Sequence, residues 1–117
     1  MRASDDSFSA DFSQANASGH KVTPEHLFAG AYAACFFGAL ENAAQRAGFE
    51  LGPDATLTAN VRLVEDDDQS YRLSVDLHAR LPGMGNAEGS KLLHEAHRTC
   101  PYSRAVRGNI DVALSLD

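Results

Sequence analysis

From Leu27 to Leu40 every residue is apolar, glycine or Tyr32. Helix signals frame this run. Thr23 is placed as N-cap, Pro24 at the first helical position and Glu25 at the positive end of the dipole. Gly48, just after Arg46, supplies a glycine stop. Two stretches of strict alternation follow. Leu57, Ala59, Val61 and Leu63 interleave with polar residues, and so do Tyr71, Leu73, Val75, Leu77, Ala79 and Leu81. Period two with one apolar face predicts half-buried antiparallel strands. Between them, Glu65-Asp66-Asp67-Asp68 reads as a solvated hairpin loop, and Leu81-Pro82-Gly83 ends the second strand. A second helix fits Asn86 to Thr99 with Leu92, Leu93 and Ala96 inward. Cys100-Pro101 lies at its end, because proline disfavours helix in the residue before it. Ile110, Val112, Leu114 and Leu116 form one face of a last strand. Residues 1–22 are polar, and Phe8, Ala10 and Phe12 alternate only weakly, which predicts one short strand and then a loop over 14–19. The order suggests an α+β domain built on an antiparallel sheet.

The first helix carries a consequence for assembly. A helix that is apolar all round must be covered on every side. Roughly four strands and one other helix are too few for that in one chain. An obligate homodimer with this helix at its centre is therefore expected.

Composition narrows the class. The chain has 117 residues, 44% hydrophobic and 22% charged, with a formal net charge of -6. Those values fit one folded globular domain over 1–117. No Lys/Arg run is present, which argues against a nucleic-acid partner. The apolar run is shorter than the roughly 20 residues that span a bilayer, which argues against a membrane partner. The start, MRASDDSFSA, has no apolar signal-peptide core, so a cytoplasmic location is expected. Cys35 and Cys100 are the two cysteines. In a reducing compartment, two thiols are either inert core groups or a redox pair.

Cys35 sits in the apolar helix, where a thiol behaves as a small hydrophobe. Cys100 stands beside Pro101-Tyr102-Ser103, with Arg98, Arg104 and Arg107 near in sequence. Cations lower a thiol pKa, although the C-terminal end of the second helix offers Cys100 no dipole benefit. His94, His97 and Cys100 recur every three residues and could form part of a zinc module. No further cysteine or carboxylate completes that set, so no metal is expected. His20, His26 and His78 read as surface or loop residues.

Two segments carry a resemblance. "TPEHLFAGAYAACFFGAL" around Cys35 and "AHRTCPYSRAVRGNIDVALSL" around Cys100 resemble the two signature regions of the organic hydroperoxide resistance (Ohr) family, within the OsmC/Ohr superfamily. The likeness covers 23–117, and CPYS followed by RGN resembles the Ohr branch. It implies an OsmC/Ohr-like fold, with an antiparallel sheet, a long buried central helix and an intertwined homodimer. The N-terminal strand region would be shortened relative to the family. It also implies a thiol-dependent peroxidase that needs no dissociable cofactor. Cys35 would attack an organic or fatty-acid hydroperoxide and become a sulfenic acid. Cys100 would resolve it as a disulfide, and a dithiol such as the lipoyl group of a lipoylated protein would reduce that disulfide.

Burial raises the pKa of Cys35, so its thiolate needs a cation. In the family that cation is an arginine from an N-terminal strand, oriented by the glutamate matching Glu25. Here the sequence departs. The glycine-rich loop is replaced by SQANASGHK, NPE by TPE, and Arg2 is the one basic residue before Lys21. Arg2, Arg104, Arg107 or none could take that role. Glu25 and Cys35 are ten residues apart, about 15 Å along a straight helix and about 80° around it. Glu25 is therefore expected to reach the partner's site across the dimer, or else to serve only the helix dipole. The alternative function is a weakened relative, a dimer that binds a lipophilic ligand or senses peroxide.

Overall fold

The computed structural model describes residues 23–117. The expected N-terminal strand and loop, with Arg2 and His20, lie outside the described residues. Six elements follow in order: α1 (Pro24–Arg46), β1 (Thr56–Glu65), β2 (Tyr71–Arg80), α2 (Asn86–Thr99), α3 (Pro101–Val106) and β3 (Asp111–Leu116).

The ends of α1 are set by the expected residues. Thr23 Oγ1 accepts the His26 N–H at 3.2 Å. At the other end, Gly48 takes φ +85°. The Gly48 N–H donates to the Gln45 carbonyl and the Phe49 N–H to the Ala44 carbonyl, which is a Schellman closure. By length and composition α1 could cross a membrane. Instead it packs Tyr32, Phe36, Leu40, Ala43 and Ala44 into the core.

β1 and β2 pair antiparallel from Thr56↔Arg80 to Glu65↔Tyr71. The acidic hairpin loop is closed by Asp66 N–H on the Ser70 carbonyl, and Asp66 takes the Arg72 guanidinium at 2.9 Å. β3 then pairs parallel to β2, from Ser74↔Asp111 to Ala79↔Leu116. The sheet is therefore mixed, in the order β1-β2-β3, and not the antiparallel sheet expected. The reason is the connection. A parallel neighbour needs a crossover, and α2 with α3 provides it between β2 and β3. Alternation reveals a half-buried strand but not its direction.

The sheet buries one face. Val75, Leu77 and Ala79 of β2 meet Leu92, Leu93 and Ala96 of α2 and the inward side of α1. The opposite face carries Arg62, Asp76, Ser115 and His78, whose Nδ1 lies 2.6 Å from Ser115 Oγ. Within one chain α1 is not buried all round, and the expected burial of this helix was a property of the dimer. Leu27 is 44% exposed, and Gly30, Ala31 and Ala34 are open as well. Among the described residues, one sheet face and one other long helix are available to cover it.

Candidate active site

Two breaks in helical geometry build the site. Pro101 forces Cys100 out of the helical region, to φ -62° and ψ 126°. Proline also suits the first position of a new helix, so the chain restarts at once as α3. Sequence reasoning took Pro101 as a terminator and missed α3. Cys100 thus closes α2 and opens α3.

From this joint the fully buried Cys100 sulfur faces Cys35 on α1, with the two Sγ atoms 3.4 Å apart across 65 residues. Both thiols are free. Burial pushes the Cys35 thiol above its usual value, and the neighbouring Cys100 adds to the rise. The Tyr102 backbone N–H opposes it by hydrogen bonding to Cys35. That N–H is one of the α3 donors without a helical partner. The new helix start therefore serves Cys35 even though the C-terminal end of α2 gives Cys100 nothing.

A polar chain, buried at Tyr32 and Ser103 and half-buried at His97, links the three helices. The Tyr32 hydroxyl lies 2.7 Å from the Ser103 hydroxyl, which lies 2.8 Å from His97 Nδ1. Burial, Arg107 and His94 hold the His97 imidazole below its usual pKa. Burial raises that of Tyr32. Beside the chain stands an aromatic wall. Phe28 stacks on Tyr102 at 6.2 Å between ring centroids, and Tyr32 meets Phe28 edge-on at 5.7 Å. None of these roles was read from the sequence. The usable signal was spacing, since Tyr32 precedes Cys35 by three and Ser103 follows Cys100 by three.

The other candidates scatter. Glu25 stands in the first turn of α1 and makes no ion pair among the described residues. Arg107 donates to the His97 carbonyl at 2.7 Å, and neither it nor Arg104 acts on the Cys35 thiol. His94 bonds the Ser90 carbonyl while His97 turns to Ser103, so the triplet with Cys100 is split. Among the described residues no group of three or more His, Cys, Asp or Glu is placed to hold a metal ion.

A family model described as OsmC-like protein matches residues 17–115. Organic hydroperoxide resistance protein-like 1 of Staphylococcus epidermidis is 44% identical over 104 residues, which cover 86% of this chain and 73% of that one. The organic hydroperoxide resistance protein of Xanthomonas axonopodis pv. citri is 40% identical over 100 residues, covering 86% and 70%. In structure, the organic hydroperoxide resistance protein OhrB of Bacillus subtilis superposes with a TM-score of 0.77 at 39% identity, covering 85% of this chain and 71% of that one.

Proposed function

The chain belongs to the OsmC-like protein family, and from that premise we propose that it is a thiol-dependent peroxidase that reduces organic hydroperoxides to alcohols. The observation that carries the reading is the 3.4 Å approach of Cys35 to Cys100. Two thiols so far apart in sequence meet only if the fold brings them together.

In the first step a lone pair of the Cys35 thiolate attacks the distal peroxide oxygen. The O–O bond breaks, the alkoxide leaves and takes a proton as the alcohol, and Cys35 becomes a sulfenic acid. The Tyr102 N–H stabilises the attacking thiolate. Phe28 and Tyr102 offer an apolar surface to a lipophilic substrate. Next, Cys100 sulfur attacks Cys35 sulfur. The S–O bond breaks, and hydroxide leaves with the Cys100 proton as water. A dithiol, with the lipoyl group of a lipoylated protein as its source, then restores both thiols by exchange.

The functional unit in this reading is a homodimer in the cytoplasm, where reductants keep the pair cycling. The exposed side of α1 at Leu27, Gly30, Ala31 and Ala34 is the surface the partner would cover. Glu25 takes its part from the first turn of α1 in the partner's site.

A second reading rests on Cys35 itself. Its pKa is raised, and no cation among the described residues acts on it. A thiol of that kind suits a slow sensor or a binder of lipophilic ligands. One assay separates the two: consumption of cumene hydroperoxide with dihydrolipoamide, beside Cys35→Ser. Repeated turnover that needs Cys35 supports the peroxidase. Oxidation of one equivalent without turnover supports the sensor.

A further inference from the structure

The mechanism leaves one buried constellation without a task. Tyr32 belongs to α1, which carries Cys35. His97 belongs to α2, and Ser103 to α3, on either side of Cys100. The three elements that hold the thiols therefore converge on a single hydroxyl, that of Ser103. Tyr32 and Ser103 are both completely buried. A buried hydroxyl hydrogen without an acceptor is costly, so the direction of the chain can be deduced. The described partner of the Tyr32 hydroxyl is Ser103, so Tyr32 donates to it. Ser103 must then donate onward to His97 Nδ1.

We propose that Tyr32, Ser103 and His97 are positioning residues for closure of the Cys35–Cys100 disulfide, with the Ser103 hydroxyl pinning the α2–α3 joint against α1. This rests on the peroxidase reading. In closure, Cys100 must approach the Cys35 sulfenic acid along a line that displaces hydroxide. A joint free to drift would seldom present it. Cys100 has no side-chain partner other than Cys35 among the described residues, so its aim depends on its backbone. That backbone is held by the Ser103 link three residues on.

The His97 end makes the pin sensitive to pH. Neutral His97 accepts from Ser103. Protonated His97 donates at Nδ1, the chain reverses, and the Tyr32 hydroxyl hydrogen loses its acceptor. The charged and titratable groups facing His97 are His94 on its own helix, Arg107 beyond α3, and Tyr32 on α1 through Ser103. Burial first, and then Arg107 and His94, favour the neutral, accepting form of His97.

The test separates the two half-reactions. Reduced wild type, Tyr32→Phe and Ser103→Ala, each variant lacking one hydroxyl, receive one equivalent of cumene hydroperoxide. Dimedone trapping reads sulfenic acid formation, and thiol titration with mass analysis reads closure. Closure is expected to slow about tenfold in both variants near pH 8, while sulfenic acid formation changes by less than about twofold. The closure ratio of wild type to variant should then fall toward one as the pH is lowered below the ordinary histidine range and His97 protonates. Closure within about twofold of wild type at every pH, or a ratio that does not vary with pH, overturns the proposal. Either variant suffices if the other fails to fold. Wild type that forms no Cys35–Cys100 disulfide would sink the peroxidase reading as well, whereas a failure confined to the variants sinks only this inference.

Discussion

The Cys35 sulfur stands 3.4 Å from the Cys100 sulfur, both as free thiols. A disulfide needs about 2.05 Å, so closure takes a movement of about 1.4 Å and no rearrangement of the fold. Hydroperoxide should therefore remove two thiols per equivalent in wild type. In Cys100→Ser it should leave a Cys35 sulfenic acid that dimedone captures. Cys35→Ser should react with neither reagent. Intact-mass measurement checks all three.

The ionisation of Cys35 gives a second expectation. Burial raises its pKa, and the Tyr102 N–H only partly offsets this. The thiolate is the reacting form. Iodoacetamide labelling of Cys35 in Cys100→Ser should rise about tenfold per pH unit from neutrality to about pH 8.5, without a plateau. A plateau below neutrality would place beside Cys35 a cation that the described residues do not supply.

His97 links stability to pH. Its pKa is depressed in the folded chain, chiefly by burial. The unfolded chain therefore binds the proton more readily. The His97 contribution is complete above the unfolded value of about 6.5 and is lost as pH falls through it toward the folded value. Urea midpoints of reduced protein should decline from pH 7 to pH 5, and the decline should be shallower in His97→Gln.

A fourth expectation concerns α1. Ala34 lies on its exposed side, away from Tyr32 and Phe36. Ala34→Arg should leave the fold of each subunit intact, since the site is open. In the proposed homodimer it should shift the population from dimer to monomer in light scattering and cost well over tenfold in dimer affinity, because an unpaired charge would be buried. An unchanged dimer would move the interface elsewhere.

Much of this was legible in the residues, for identifiable reasons. The bounds of α1 and α2 follow from local chemistry: the Thr23 cap, Gly48 and the Pro101 constraint act within a few residues. The inward faces of β1 and β2 follow from alternation, except at the hairpin end, where Leu63 and Tyr71 are exposed. The direction of β3 was not legible, because pairing sense depends on the crossover and not on the strand. The Pro101 signal was read as a stop when it was also a start, which hid α3 and the Tyr102 N–H. The thiol pair was legible through its surroundings, by resemblance, while spacing alone left Cys35 as an ordinary core residue. The Tyr32–Ser103–His97 chain joins residues 71 and 6 positions apart, and no periodicity connects them.

The parallel pairing of β3 bears on biosynthesis. β3 cannot take its place beside β2 until the crossover through α2 and α3 has folded back. Cys35 emerges from the ribosome 65 residues ahead of Cys100 and must wait for it. During that interval it can be oxidised but not resolved within its own chain. A chain cut short before the CPYS joint would keep its first thiol and never gain the second. In the proposed cycle, disulfide closure therefore waits until synthesis has passed the CPYS joint.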